Sequence, residues 1–150
     1  MAEYRWLPGP VGEMLRSSSL ATTATIPLHG HLVVTTGHVG VNLSTGGLVK
    51  SSIRDEFNAV CDCLDAALRD AGVELGLGGA HKIVAYFIRA EDEAKLLGVF
   101  REKYPGHSPT WTSVVVAALV VPGMHVEVQA EAVRHVRDTF WHELCGIWGR

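Results

Sequence analysis

The clearest pattern in the chain is an alternation of apolar and polar residues toward its C-terminal end. Every second residue from Val126 to Ala132 is apolar, and the residues between them, from His125 to Glu131, are polar. A period of two places the two sets on opposite faces of a β-strand. The pattern therefore predicts a strand with one buried face and one polar face, with Glu127 on the polar face.

A second pattern, with a period close to 3.6, indicates a long amphipathic helix. Ser52 is a favoured N-cap residue, and Asp55 follows three residues later, close to a capping box. Gly72 stands where a left-handed residue commonly ends a helix. The apolar stripe between them consists of Ile53, Phe57, Val60, Leu64, Ala67 and Ala71.

Shorter runs predict the remaining elements. They are strands over Leu32–Thr36, His38–Val41, Ile83–Ile88 and Thr112–Leu119, and a helix over Glu91–Tyr104 with Ala94, Leu97, Phe100 and Tyr104 facing inward. The run Ile83–Ile88 is apolar on both faces, which is typical of an interior strand covered on both sides. The order of the elements predicts an α+β fold, a two-layer sandwich of a mixed β-sheet with two helices on one face.

The length of the chain and its two ends complete the predicted organisation. Its 150 residues suit a single domain. Residues 1–25 show little pattern, and we expect an irregular N-terminal arm there. Residues 137–150 carry Phe140, Trp141, Leu144, Ile147 and Trp148, so we expect an aromatic tail that forms a short amphipathic helix on an apolar surface.

Composition and charge limit the partners and the compartment. A formal charge of −3 argues against a general nucleic-acid binder, because a phosphate backbone needs a basic face. No apolar run approaches the length of a membrane span. The three cysteines are an odd number, which suits a reducing compartment. We therefore expect a cytoplasmic protein that binds neither nucleic acid nor a membrane.

Two residues have both a chemical and a structural interpretation. If a second subunit covers the face that carries Glu127, its carboxylate becomes a candidate general acid or base. The alternative is a solvent-facing polar residue of an antiparallel sheet. Trp111, between two threonines at a strand start, either lines a ligand pocket or belongs to the core.

The spacing of the metal-ligand residue types favours no metal. His29, His31 and His38 lie close in sequence, but no Asp, Glu or Cys accompanies them at a zinc spacing. Cys61 and Cys63 are two residues apart on the predicted helix, so their side chains point in different directions. No P-loop, nucleophile elbow or dinucleotide fingerprint is present. We therefore expect no metal and no cofactor.

Five segments taken in order resemble the RidA family, also called YjgF. They are Val33–His38, Thr45–Val49, Leu68–Gly72, Pro109–Val114 and Val126–Ala130. They stand where the family has a β-rich segment ending in S-G-Q, a G-x-[LV] turn, an L-x-x-A-G helix end, P-A-R-[ST], and V-E-[IV]-[ED]-A. The resemblance covers roughly residues 20 to 134.

The resemblance implies a chorismate-mutase-like fold that assembles as a barrel-like homotrimer, with a cleft between neighbouring subunits. Active members of the family hydrolyse enamines and imines formed from amino acids, and they release ammonia and a 2-keto acid. Some relatives are described as ribonucleases, which the charge of this chain disfavours.

The family's site residues carry over in part. Glu127 matches the family's glutamate, Thr36 and Gly37 occupy the S-G positions, and His38 replaces the glutamine. Trp111 stands where the family has an arginine that binds the substrate carboxylate. Leu97 aligns with the asparagine common in the second helix. The implied set has Glu127 and Thr36 as catalytic residues, and Gly37, His38, Trp111, Ser113 and Leu97 as substrate-binding residues.

Without the arginine, Trp111 suits a larger, flatter and less charged ligand. We expect a diverged RidA-like enzyme that acts on a carbonyl, imine or enamine metabolite by general acid/base chemistry. The step would be a hydrolysis, dehydration, tautomerisation or cyclisation in secondary metabolism. The alternatives are a standard 2-iminobutanoate and enamine deaminase, and a non-catalytic trimeric ligand-binding module.

Overall fold

The computed structural model describes residues 2–136. In chain order its elements are β1 (Glu3–Arg5), α1 (Pro10–Ser17), β2 (Thr23–Thr25), β3 (Gly30–Val34), α2 (Ile53–Asp70), β4 (Ala80–Phe87), α3 (Glu93–Lys103), β5 (Thr110–Val115) and β6 (Val126–His135). Short 3₁₀ turns precede β4 at Gly76–Gly79 and α3 at Ala90–Asp92. Within residues 2–136, no helix has the length and apolar character needed to cross a bilayer.

The main sheet is mixed and has the strand order β3-β6-β4-β5. β6 pairs antiparallel with β3 and β4, whereas β4 and β5 are parallel. A parallel pair needs a crossover connection, and α3 provides it. α2 and α3 pack on the same face of the sheet, and the core lies between the two layers. The predicted α+β fold with two helices on one face is confirmed.

α2 forms where its period and its caps predict it. The backbone N–H of Asp55 donates to the Ser52 hydroxyl oxygen over 3.0 Å, which is the expected N-cap bond. Gly72 has a φ of +86° just beyond the helix. Phe57 and Leu64 are fully enclosed in the core. This helix therefore fixes the layer that covers the inner face of the sheet.

The second face of β4 is less covered than its sequence predicts. Ile83, Ala85 and Phe87 are buried under the helices. Val84 and Tyr86 point to the opposite face and are only half-buried. The prediction of cover on both faces is therefore not met by one copy of residues 2–136, because the helices lie on one side alone. The opposite side is called the outer face below.

α3 presents a different inward face from the predicted one. Leu96, Val99 and Phe100 are buried, whereas Leu97 is half-buried and Ala94 is exposed. The inward assignment of Ala94 is therefore wrong. Leu96 and Leu97 are both apolar, so the sequence pattern alone does not fix which of them contacts the sheet.

The predicted second strand, His38–Val41, is not continuous with β3. Val34 pairs with Glu131, whereas His38 forms an isolated bridge with Val128. The register shifts by one residue between these two pairs, so residues 35–37 contain one extra residue and form a bulge. The bulge ends β3 early and bends the chain across β6.

β5 starts and ends earlier than the predicted strand Thr112–Leu119. Its bounds are Thr110–Val115, and the last bond to its neighbour runs from the Val116 N–H to the Phe87 carbonyl over 2.8 Å. Because β4 ends at Phe87, residues beyond 116 have no strand to pair with on that side. The end of the neighbour therefore sets the end of β5.

Residues 2–25 differ from the predicted irregular arm. β1 and β2 form an antiparallel pair, and α1 connects them. The Trp6 indole anchors the segment, because its N–H donates to the Leu20 carbonyl over 2.5 Å and the Arg16 guanidinium lies 4.8 Å from the ring centroid. Strands of three residues are too short to show a period. The predicted tail helix over 137–150 lies outside the described residues.

Candidate functional site

Glu127 lies on the outer face of the sheet, and its carboxylate rests against Gly37. It is half-buried and faces Tyr86 across the β4–β6 ladder. A Cβ placed on Gly37 would stand only 2.1 Å from the Oε1 atom of Glu127. A glycine at position 37 therefore leaves the space that the carboxylate occupies. Within residues 2–136, no hydrogen bond to this carboxylate is formed, so its oxygens remain available to a ligand.

Thr35 holds the bulge that brings Gly37 to this place. Its N–H donates to the Ala130 carbonyl over 3.0 Å, and its hydroxyl oxygen accepts the Ala130 N–H over 3.0 Å. The Gln129 side-chain amide donates to the Thr35 carbonyl over 3.0 Å. Thr36, the predicted catalytic residue, follows on the surface with an exposed side chain. The hydrogen bonds of the buried Thr35 therefore fix the position of the exposed Thr36.

His38 follows Gly37 in the chain and lies opposite Val128 of β6. Its backbone N–H and C=O both bond to Val128, over 2.8 and 2.9 Å. Burial lowers the pKa of the imidazole, and the charge of Glu127 partly opposes that shift. A neutral imidazole near a carboxylate provides a proton acceptor and a proton donor near neutral pH. Gly37 and Glu127 are thus in contact, with Thr36 and His38 on either side of Gly37 in the chain, and the roles assigned to these residues stay predictions.

Trp111 and Ser113 lie on the other face of the sheet. Trp111 pairs with the buried Ile83, and its ring packs edge-on against Phe100 with 5.4 Å between the centroids. The indole N–H donates to the Ser113 hydroxyl over 2.9 Å. Trp111 stays half-exposed. Within one copy of the described chain it therefore contributes to the edge of the core, and the sheet separates it from Glu127.

Leu97 belongs to the same side as Trp111. It is half-buried on α3, one turn before Phe100, which is the residue that Trp111 contacts. The predicted site residues therefore fall into two groups in a single chain. One group surrounds Glu127, and the other consists of Trp111, Ser113 and Leu97 on the helix side.

A buried carboxylate that the sequence analysis missed lies at the start of β6. Glu56 on α2 is only 1% exposed. Its Oε1 atom accepts the backbone N–H groups of His125 and Val126 over 2.7 and 3.3 Å, and its Oε2 atom lies 2.7 Å from Nδ1 of His125. A signal was present, because Glu56 sits three residues after Ile53, on the inward side of the helix. The pair fixes the strand end that precedes Glu127.

The metal-ligand residue types do not converge in this part of the chain. Among residues 2–136, no three His, Cys, Asp or Glu side chains form a group that could hold a metal ion. Burial raises the pKa of the Cys61 thiol to about 12, so it is a poor nucleophile. Cys63 donates its S–H to the Val41 carbonyl over 3.3 Å. Both cysteines therefore act as core residues.

Comparisons with known proteins were made for family and for fold. The family model described as Endoribonuclease L-PSP matches residues 21–134. No protein of curated function matches the chain. A Rid-family protein of unknown function, YyfB from Yersinia pestis, superposes with a TM-score of 0.73 at 17% identity, over 88% of this chain and 98% of that one.

Two further solved structures share the fold. E. coli TdcF with bound serine has a TM-score of 0.61 at 23% identity, over 87% of this chain and 93% of that one. RidA from an Antarctic Psychrobacter species has a TM-score of 0.62 at 23% identity, over 75% and 89%. At these identities the similarity concerns the fold.

Proposed function

Because the chain belongs to the endoribonuclease L-PSP family, the RidA or YjgF proteins, we propose that it is a small-molecule enzyme. Its substrate is an imine, an enamine or a related carbonyl metabolite, and the reaction is general acid/base catalysis. The observation that carries the proposal is the Glu127 carboxylate, which lies against Gly37 with His38 beside it. Serine bound to the related TdcF supports a small polar ligand for this fold.

The group around Glu127 suits imine hydrolysis. A water molecule adds to the imine carbon and loses one proton, which the nitrogen gains. The hydroxyl of this adduct then loses the second proton to the nitrogen as the C–N bond breaks, so ammonia leaves and the carbon becomes a carbonyl. Glu127 carries each proton in turn from the oxygen to the nitrogen. The exposed hydroxyl of Thr36 donates a hydrogen bond to the oxygen that forms.

The outer face supports a homotrimer as the working form. Leu32, Val34 and Val114 on this face are 58%, 51% and 40% exposed. Exposed apolar side chains on the two edge strands of a sheet favour cover by a partner surface. In the proposed trimer, neighbouring subunits cover it and enclose Glu127 in a cleft. The same arrangement would bring Trp111, Ser113 and Leu97 to that cleft from across a subunit boundary.

Trp111 at the family's arginine position changes the proposed substrate class. An arginine binds a carboxylate through two parallel hydrogen bonds, and an indole does not. The proposed substrate is therefore larger and less charged than an imine derived from a small amino acid. A cytoplasmic enzyme of secondary metabolism would meet such substrates, and we include that role in the proposal.

The test is an imine-hydrolysis assay over a panel of side chains. An amino-acid oxidase generates each imine, semicarbazide traps the remainder, and keto-acid release is followed for wild type, Glu127→Gln and Glu131→Gln. Glu131 is a matched control, because it lies on the same strand and face but pairs with Lys82 over 2.8 Å. We expect Glu127→Gln to lower kcat/KM about 100-fold, and Glu131→Gln to change it about twofold or less.

Two results would contradict the proposal. Equal rates for Glu127→Gln and wild type would remove Glu127 from the chemistry. A wild type that leaves the whole panel unhydrolysed, yet binds a member of it, would favour the non-catalytic ligand-binding module.

A further inference from the structure

We propose a second ligand site at the opposite end of the sheet from Glu127. It is a cavity of about 500 Å³ where the N-terminal segment closes over the start of β4. Its ligand is a small, uncharged, planar molecule that carries an N–H donor next to a carbonyl acceptor, as a lactam does.

The site is separate from the proposed active site. His81 lines the cavity and lies five residues before Tyr86, the residue opposite Glu127, which is about 17 Å along a strand. Ala2 and Tyr4 also line it, and both precede residue 21, where the match to the family begins. This chain therefore builds the cavity in part from a segment outside the family pattern.

The tautomer of His81 follows from its partner. The Tyr4 hydroxyl lies 2.7 Å from Nδ1 of His81 and 3.5 Å from the Ala80 carbonyl. Nδ1 is the closer acceptor and the carbonyl is at the limit of hydrogen-bond length, so we assign the phenol proton to Nδ1. Nδ1 is then the acceptor, and the Nε2 atom of His81 carries the N–H.

His107 has the same Nε2–H tautomer as His81, but its free nitrogen is the acceptor. Its Nε2 atom lies 2.8 Å from the Ala80 carbonyl, which only accepts, so Nε2 carries the proton. Its Nδ1 atom is then a bare acceptor. The two imidazoles flank the Tyr4 ring, with centroids 6.1 Å (His81) and 5.9 Å (His107) from it. Together they present one donor and one acceptor.

Both imidazoles line the cavity. In the described part of the chain, no buried side-chain nitrogen or oxygen lacks a hydrogen bond. His81 is only 8% exposed and has no partner at its Nε2 atom, so that atom is accessible from one of the two hollows that His81 lines, and the proposal places it in this one. The Nδ1 atom of His107 is also unbonded, and His107 lines this cavity alone.

The remaining walls disfavour an anion. Val73, Leu75 and Val133 are apolar, and Glu74 and His135 also line the cavity, so Glu74 adds a carboxylate to the wall. Burial lowers the pKa of both imidazoles, so neither offers a positive charge to an anion near neutral pH. The size is within the usual range of small-molecule sites, about 300–1,000 Å³.

The experiment titrates the full-length protein with quinolin-2-one, N-methylquinolin-2-one and quinoline-2-carboxylate, and follows backbone and histidine side-chain ¹⁵N NMR. We expect quinolin-2-one to shift the signals of the segment 72–79 and of His81 and His107. The N-methyl compound lacks the donor, and we expect it to bind about tenfold more weakly. The carboxylate should be weaker still, because it would meet the bare acceptor of His107.

The variants are Tyr4→Phe and, as a matched control, Tyr86→Phe on the outer face. Tyr4→Phe keeps the aromatic wall but frees the proton position of His81, so we expect about tenfold weaker binding of quinolin-2-one. Tyr86→Phe removes the same oxygen elsewhere and should leave binding unchanged. Absence of binding to the full chain, equal binding of the N-methyl compound, or equal effects of the two variants would overturn the proposal. These readouts do not depend on the activity of Glu127.

Discussion

Because Gly37 has no side chain, the Glu127 carboxylate can lie directly against the backbone at that position. The Oε1 atom of Glu127 occupies the volume that a Cβ at position 37 would need, 2.1 Å from it. No positive φ forces glycine there, so the requirement is one of space. A substitution at Gly37 therefore moves a reacting group without changing its charge.

We predict that Gly37→Ala lowers kcat/KM about tenfold or more while the protein stays folded. The methyl group pushes away the far end of the Glu127 side chain, which is flexible. The same imine assay and a thermal melt measure the two effects. Gly98→Ala is the control, because a Cβ at Gly98 in α3 meets nothing within 4 Å. It should keep full activity and gain about 1 kcal/mol of stability from helix propensity.

A second prediction concerns Glu56. Glu56→Ala leaves the backbone N–H groups of His125 and Val126 without their acceptor in a buried place, and we expect a loss of about 3 kcal/mol in the free energy of unfolding. Urea denaturation measures it. Glu102→Ala, which removes only an exposed ion pair with Arg54, should cost less than about 1 kcal/mol. Equal costs would mean that the buried carboxylate does not hold β6.

At the scale of elements, the sequence predicts correctly those helices and strands whose signal lies within one continuous segment. α2 and β6 each carry their signal within one segment, as a cap and a period, and both formed as predicted. The bulge at 35–37 depends on pairing with β6, about a hundred residues away, so the segment Leu32–Val41 alone does not show it.

The candidate site also contains residues whose position the sequence indicates and residues whose position it does not. Gly37 and Glu127 are in contact because the segment after β3 pairs with β6, and the site roles taken from the family resemblance stay predictions. The sequence does not decide whether Trp111 belongs to the core or lines a ligand pocket, because one residue does not reveal which face of a strand it occupies.

The elements around the far cavity predict a pH dependence of stability. Burial lowers the pKa of His81 and His107 below the usual 6.5. Below pH 6.5 the unfolded chain therefore binds protons that the folded chain does not, and stability falls as the pH falls. Urea denaturation between pH 7.5 and 5.5 should show this loss. His107→Gln should reduce the loss, since His81 and His38 still contribute, whereas the exposed His29→Gln should not change it.

At the scale of the whole molecule, the uncovered outer face predicts the state of assembly. Val114→Asp places a charge on that face at the edge strand β5, opposite Tyr86, and should convert a trimer into a monomer. Light scattering during size-exclusion chromatography measures the mass. Val120→Asp is the control, because Val120 is 93% exposed and outside the sheet. A monomeric wild type would contradict the proposed trimer.

The pairing of β3 with β6 also sets the order in which the chain can fold. β3 is the first strand of the main sheet and β6 the last, and Gly30 pairs with His135. During synthesis β3 must wait without its partner until almost the whole described chain has left the ribosome. The segment from α2 to β5 makes its contacts over shorter separations and can form before that moment. The strand that carries the approach to Gly37 is therefore among the last parts of the sheet to be secured.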